Sequence, residues 1–246
     1  MKSSRSVTAL LMKGFRSFPD ILYPRRCPLC HQILKDPSRL ICPACAKEIR
    51  PISEPRCFKC GKPVKEEEEY CVDCRIHPGA FRQGKGIFLY DSRMKDSLMK
   101  YKYYGRREYG RFFARAMYIY GKKDLERWKP DLLIPVPLYW RKQRMRGFNQ
   151  AAYLAEQLSG YTGIPADCSL VKKVRQTKSQ KKLDAAGRRK NLQAAFRVRE
   201  RVDGRRILVV DDVYTTGSTM DAMASCLLEN GAEEIFFLTL CMGQSR

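Results

Sequence analysis

With 246 residues the chain has room for one ordinary domain plus a small one, and its 44% apolar content suffices for a core. A formal charge of +22 favours polyanionic partners such as nucleic acid, anionic lipid or phosphorylated substrates, and it decides nothing about fold. No apolar run approaches the ~20 residues of a membrane-spanning helix, which argues against a transmembrane protein.

The charge is uneven, with 15 basic against 9 acidic residues up to position 80 and 33 against 17 after it. A polyanion therefore belongs on the larger, C-terminal part. The opening residues MKSSRSVTALLMKGF start basic, but the apolar stretch 7–12 is too short for a signal peptide and no small-residue cleavage site follows. Residues 7–22 read as a short amphipathic docking helix, with a membrane anchor as the alternative. The expected location is cytoplasmic, at most peripheral at the inner face of the membrane.

Next come eight of the eleven cysteines, as four C-x-x-C pairs: Cys27 and Cys30, Cys42 and Cys45, Cys57 and Cys60, Cys71 and Cys74. A C-x-x-C turn brings two thiolates to one metal at ~2.3 Å, and two such turns complete a tetrahedral Cys₄ zinc site. The spacing predicts two structural zinc ions in a double ribbon over residues 25–78, with redox pairs or disulfides as the alternative. Pairing of neighbouring turns closes shorter loops than a cross-brace and is entropically favoured. Gly61 suits the turn after Cys60. His31 and His77 read as surface residues, the glutamate run 66–69 as a solvated loop, and Cys168, Cys226 and Cys241 as buried or inert thiols.

The stretch GAFRQGKG, 79–86, is one residue short of a phosphate-binding P-loop and ends in Gly86 where a hydroxyl is needed. It follows a zinc knuckle instead of a strand, so it reads as a linker. From there to residue 246, strand-like and helical patterns alternate. Strands are expected at 87–90, 131–137, 207–210 and 235–241, and helices at 93–101, 108–120, 149–158 (closed near Gly160) and 218–229. Strand, helix and strand with short links predict a parallel α/β sheet, in which ligands sit beyond the carboxyl ends of the strands.

ILVVDDVYTTGST, 207–219, puts Asp211 and Asp212 at that lip. The loop after them enters a helix N-terminus, whose free N–H groups favour a phosphate. Thr215, Thr216, Ser218 and Thr219 add hydroxyls, Ser218 or Thr219 can cap the helix, and Gly217 permits close backbone approach. The carboxylates would accept hydrogen bonds from sugar hydroxyls or hold hydrated Mg²⁺. One short loop thus reads as a site for a ribose 5-phosphate unit.

This loop resembles the phosphoribosyl pyrophosphate (PRPP) loop of type I phosphoribosyltransferases. The four cysteine turns followed by IPVPL (134–138), RGFNQ (146–150), the Thr177, Gln180, Leu183 spacing and RKNL (189–192) resemble the ComF/GntX-type proteins. The resemblance implies a type I phosphoribosyltransferase-like domain over 79–246, preceded by the double zinc ribbon and the segment 1–24. It implies Asp211 and Asp212 as ribose ligands and residues 215–219 as the 5-phosphate cradle. Pro135, Val136, Pro137 and Leu138 take the place of the pyrophosphate loop. Arg141, Lys142, Arg144 and Arg146 would neutralise the pyrophosphate, with Lys178, Lys181 and Lys182 in a basic covering loop at 172–190. Mg²⁺ would accompany PRPP. One branch of the family serves DNA uptake in natural transformation, which implies single-stranded DNA and a DNA-uptake helicase as partners.

Two functions stay open on the sequence. One is a PRPP-site protein assisting single-stranded DNA, for which 101–107 (YKYYGRR) interleaves aromatic and basic residues as strand-binding grooves do. Those tyrosines would otherwise simply pack on a helix. The alternative is an active phosphoribosyltransferase, displacing pyrophosphate through an oxocarbenium-like state, with Mg²⁺ and basic side chains stabilising the departing charge. No motif reads a particular acceptor base, and no general base stands out.

Overall fold

The computed structural model describes residues 24–175 and 195–243. The expected helix at 7–22, the lysines 178, 181 and 182 and most of the basic covering loop lie outside them. The chain divides into two compact units, one up to Glu48 and one from Ile49 onward. The division falls between the two cysteine tetrads.

The first unit holds Cys27, Cys30, Cys42 and Cys45, with the short helix α1 (Pro43–Glu48) carrying Cys45. In the second unit, helix α2 (Val72–Ile76) carries Cys74 and closes the other tetrad. Then follow β1 (Gln83–Leu89), α3 (Ser92–Tyr103), α4 (Tyr109–Trp128), β2 (Leu132–Pro135), α5 (Trp140–Arg146) and α6 (Gln150–Thr162). The chain continues through β3 (Val171–Lys173), β4 (Phe196–Val198), β5 (Arg206–Tyr214), α7 (Ser218–Glu229) and β6 (Glu234–Met242). Four strands form one parallel sheet in the order β1-β6-β5-β2, and β3 and β4 make a small antiparallel pair.

The parallel α/β sheet is the one expected, and its reason is plain in β5. Residues Ile207, Leu208, Val209 and Val210 are all fully buried, because α6 packs against β5 and so does α7. A strand covered on both faces is apolar at every position rather than at alternate ones. Helix α7 turns Met220, Met223, Ala224 and Leu227 inward, the i, i+3, i+4, i+7 stripe of a helix with one buried face.

Several bounds move. Helix α4 runs on to Trp128 and stops at left-handed Lys129. Helix α6 passes Gly160 and ends before Gly163, at φ 74°. The expected linker at 79–86 is a strand from Gln83, although no P-loop forms there. Its glycines are explained by crowding. A Cβ on Gly84 would fall 2.0 Å from the Phe237 ring, and one on Gly86 2.6 Å from Met242. Among the free cysteines, Cys226 and Cys241 are buried, but Cys168 is exposed.

The second tetrad is part of the larger unit's core. Its four buried cysteines share one apolar cluster with Phe81, Tyr214 and Phe237. Gly84 N–H donates to Lys59 O at 2.8 Å, and a Cβ on Gly61 (φ 78°) would meet Gly84 O at 2.7 Å. Lys62, 1% exposed, pairs with Asp73 at 2.6 Å and lies 5.6 Å above the Tyr214 ring. Tyr214 in turn stacks on Phe237 with centroids 4.7 Å apart. Tyr214, the last residue of β5, is therefore held in place by the turns of the second tetrad.

Candidate functional site

The tetrads come first, because their geometry is the simplest. In each, one sulfur from every cysteine lies within 4.8 Å of the other three, and neighbouring turns pair as short loops favour. Four sulfurs placed tetrahedrally at 2.3 Å from zinc stand about 3.8 Å apart. Cys30 and Cys42 Sγ are 3.7 Å apart, and Cys60 and Cys71 Sγ 3.6 Å. Both tetrads fit structural zinc.

The carboxylates are the sixth and seventh of the nine residues of β5, since the strand continues to Tyr214. Asp212 is buried and Asp211 half-buried. Asp211 Oδ1 accepts the Asp212 N–H at 2.8 Å. Burial, and after it the charge of Asp212, pushes the Asp211 carboxyl up to about 7, although the Asp212 N–H, Lys102 and Lys173 pull the other way. Asp212 has a partner that no local sequence signal announces. Lys102 Nζ, near the end of α3, lies 2.7 Å from Asp212 Oδ1, with both side chains largely buried. The two are 110 positions apart. Burial opposes the Lys102 charge, but attraction to Asp212, their hydrogen bond and attraction to Asp211 outweigh it and raise its pKa.

Sheet register brings the second loop beside the first. Pro135 pairs with Val210, and Val136 N–H donates to Val210 O at 2.9 Å. Asn149, which caps α6 through Ala151 N–H, also donates from Nδ2 to Val136 O at 3.1 Å. Pro135 and Val136 are buried; Pro137 and Leu138 are half-buried where the loop leaves the sheet. Beyond it, α5 holds the basic stretch. Arg146 is turned toward α3, where Nη2 donates to Tyr103 Oη and the guanidinium lies 4.7 Å above that ring. Its Nη1 donates to Gln150 Oε1 at 2.8 Å, while its Nε is buried without a partner. Arg141 and Arg144 are exposed instead, Arg141 over the Trp140 ring at 5.2 Å.

Thr215 and Thr216 are exposed, and Ser218 and Thr219 half-buried. The expected Ser218 or Thr219 cap is absent. The N-cap of α7 is Gly217, at φ 81°, with no side-chain cap bond. Thr216 Oγ1 and Ser218 Oγ instead face each other at 3.0 Å. First-turn N–H groups left without a side-chain cap suit an anion. A cleft of about 320 Å³ opens beside this loop, between Thr216, Gly217 and Ser218 on one wall and His77 and Asp73 on the other. His77, exposed but lining this cleft, was not distinguishable by sequence spacing from an ordinary surface histidine.

Of the tyrosines in 101–107, Tyr101 packs and the others do not. Tyr101 is fully buried, edge-on to Phe113 and Phe148 at 5.3 Å each, with its hydroxyl on Gln150 O at 3.2 Å. Tyr103 and Tyr104 are 44% and 70% exposed. Tyr103, under the Arg146 guanidinium, follows directly on Lys102 and so lies near Asp212; Tyr104 and Trp140 are further exposed rings, and Arg107 lies 4.6 Å over Phe148.

Comparison with known proteins bears out the two-part organisation. Residues 18–75 match the double zinc ribbon domain family, and residues 111–246 match the phosphoribosyl transferase domain family. Competence protein F of Haemophilus influenzae is 33% identical over 217 residues, 85% of this chain and 93% of that protein. The chain belongs to the ComF family of phosphoribosyltransferase-fold proteins. DNA utilization protein YhgH of Escherichia coli K12 is 31% identical across 89% of this ComF-family chain and 97% of its own. Competence protein ComFC of Bacillus subtilis is 29% identical across 80% and 82%. No helix among the described residues is long and apolar enough to cross a membrane.

Proposed function

We propose that this ComF-family protein assists single-stranded DNA during DNA uptake, holding PRPP or a related phosphosugar at Asp211 and Asp212. The relatives' names supply the process; the contact of α3 with β5 supplies the physical link. Lys102 sits on Asp212, and the very next residue is the exposed Tyr103 under Arg146. The pocket and the aromatic, basic surface are thus neighbours on one helix end.

Each does a different job. Asp211 and Asp212 suit vicinal hydroxyls, of which deoxyribose lacks one, so DNA itself is not the ligand they read. Strand binding belongs to Tyr103, Tyr104, Trp140 and the arginines around them, where rings stack on bases at ~1–3 kcal/mol each and cations follow the phosphates. A cytoplasmic position and a DNA-uptake helicase partner belong to the same reading.

Trp140 provides the test. The chain has two tryptophans, and Trp128 is buried against Phe236 with centroids 5.2 Å apart. A fluorescence change on adding an oligodeoxynucleotide therefore reports Trp140. Quenching should weaken linearly with log salt, and Arg146→Ala should lower that slope by about 1. Binding that ignores salt, or leaves Trp140 unchanged, refutes the assignment. Turnover of PRPP with any nucleobase would make the protein a transferase instead.

A further inference from the structure

The family expectation pairs PRPP with Mg²⁺, and the surroundings of the carboxylates fit that ion poorly. Mg²⁺ takes octahedral oxygen ligands at 2.0–2.1 Å. Here the approach to Asp212 Oδ1 is taken by the Lys102 ammonium at 2.7 Å, in a pair whose side chains are only 15% and 11% exposed. More cations follow. Arg146 lies close enough to Lys102 to oppose its charge, Lys173 acts on Asp211, and Lys142 opposes Lys173. They come from three separate elements, α3, α5 and β3, so the sign of the pocket is built by the fold. Lys102 and Lys173 act directly on the carboxylates, and a divalent ion approaching Asp212 would have to displace the ammonium already 2.7 Å from it.

We propose that Lys102 is the pocket's built-in cation, standing where a divalent ion would bridge carboxylate and phosphate, so that the phosphosugar binds without Mg²⁺. This rests on the phosphosugar reading above. An ammonium is a compact, strongly hydrated point charge with three donors, able to keep one on Asp212 and turn others to phosphate oxygens. The pair is well held. Asp91 caps α3 through Met94 N–H at 2.8 Å, and the neighbouring Tyr101 is fully buried. Lys102 precedes the part of the chain that matches the phosphoribosyl transferase domain family.

The test is calorimetric titration of PRPP into the full-length, zinc-loaded protein, in buffer freed of divalent ions without a chelator and again with millimolar Mg²⁺. The wild type should bind in both with affinities within about threefold. Lys102→Met should lose at least tenfold without Mg²⁺ and regain part of it when Mg²⁺ is added; Lys102→Arg should stay near wild type. Zinc content and circular dichroism check folding, and if Lys102→Met does not fold, the Mg²⁺ dependence of the wild type decides alone. Wild-type binding only with Mg²⁺, or a Lys102→Met affinity unchanged without it, overturns the inference and leaves the phosphosugar reading standing. Absence of binding in both buffers overturns both.

Discussion

Asp211→Asn should make the protein more stable while weakening its phosphosugar binding. Asp211 is an acid raised from 3.8 to about 7, first by burial and then by Asp212. Between those two values the folded chain holds a proton that the unfolded chain has released. Stability from this group is therefore greatest at low pH, falls as pH rises from about 4 to about 7, and is flat beyond. At 1.36 kcal/mol per unit, three units cost about 4 kcal/mol at pH 8. Asparagine stays neutral and keeps an oxygen to accept the Asp212 N–H, now at 2.8 Å. It forgoes attraction to Lys102 and Lys173, so 4 kcal/mol is a ceiling. For a chain of this length that ceiling corresponds to roughly 8–16 °C in Tm. Scanning calorimetry of wild type and variant at pH 5 and pH 8 should show a gain that grows by about 3 kcal/mol between them. Phosphosugar affinity moves oppositely. It should fall roughly ten- to hundredfold in the variant with the lost charged acceptor, and rise up to about tenfold in the wild type from pH 6 to pH 8 as Asp211 ionises. A variant no more stable than wild type at pH 8, or a gain identical at both pH values, refutes the reasoning.

The protein should contain two zinc ions per chain, lost in two stages. Cys30 is exposed and Cys42 partly so, whereas Cys57, Cys60, Cys71 and Cys74 are all buried, so a colorimetric chelator should empty the first site faster. Emptying the second should loosen the larger unit as well, seen as loss of near-ultraviolet dichroism, because its thiols lie in the same cluster as Tyr214 and Phe237. Unchanged dichroism after full chelation would contradict that coupling. Gly217→Ala places a Cβ 2.5 Å from Tyr214 Oη at φ 81°. It should cost about 1–2 kcal/mol in stability from the left-handed backbone alone and lower PRPP affinity more than tenfold, measured by thermal unfolding and calorimetry.

What was legible in the sequence was whatever chemistry lies within a dozen consecutive residues. Cysteine spacing predicts both tetrads because a C-x-x-C turn fixes its own geometry, and 207–219 places two carboxylates before a helix because strand burial and loop chemistry are both local. Legibility stopped where position depends on what arrives from elsewhere. Gly84 and Gly86 look like linker residues, yet they lie in a strand paired with β6, and they are glycine because Phe237 and Met242 leave no room for a Cβ. Tyr101 and Tyr103 are two positions apart on one helix, about 200° around its axis, so one enters the core and the other faces solvent; composition treats them alike. Ser218 looked like a cap, but Gly217 holds that place and the hydroxyl turns to Thr216.

Lys102 is the clearest case, being one of 48 basic residues until β5 and α3 are brought together. A net charge of +22 speaks of a polyanion somewhere, whereas one ammonium 2.7 Å from Asp212 says which carboxylate is neutralised before any ligand arrives. The two aspartates illustrate the same division of labour by environment. Asp212 has the Lys102 ammonium 2.7 Å away, while burial and the charge of Asp212 push Asp211, beside it, toward neutrality. A diol that donates to both would supply what Asp211 lacks. On the phosphosugar reading proposed above, the hydroxyls of a bound sugar would offset the cost of holding a second acid in β5.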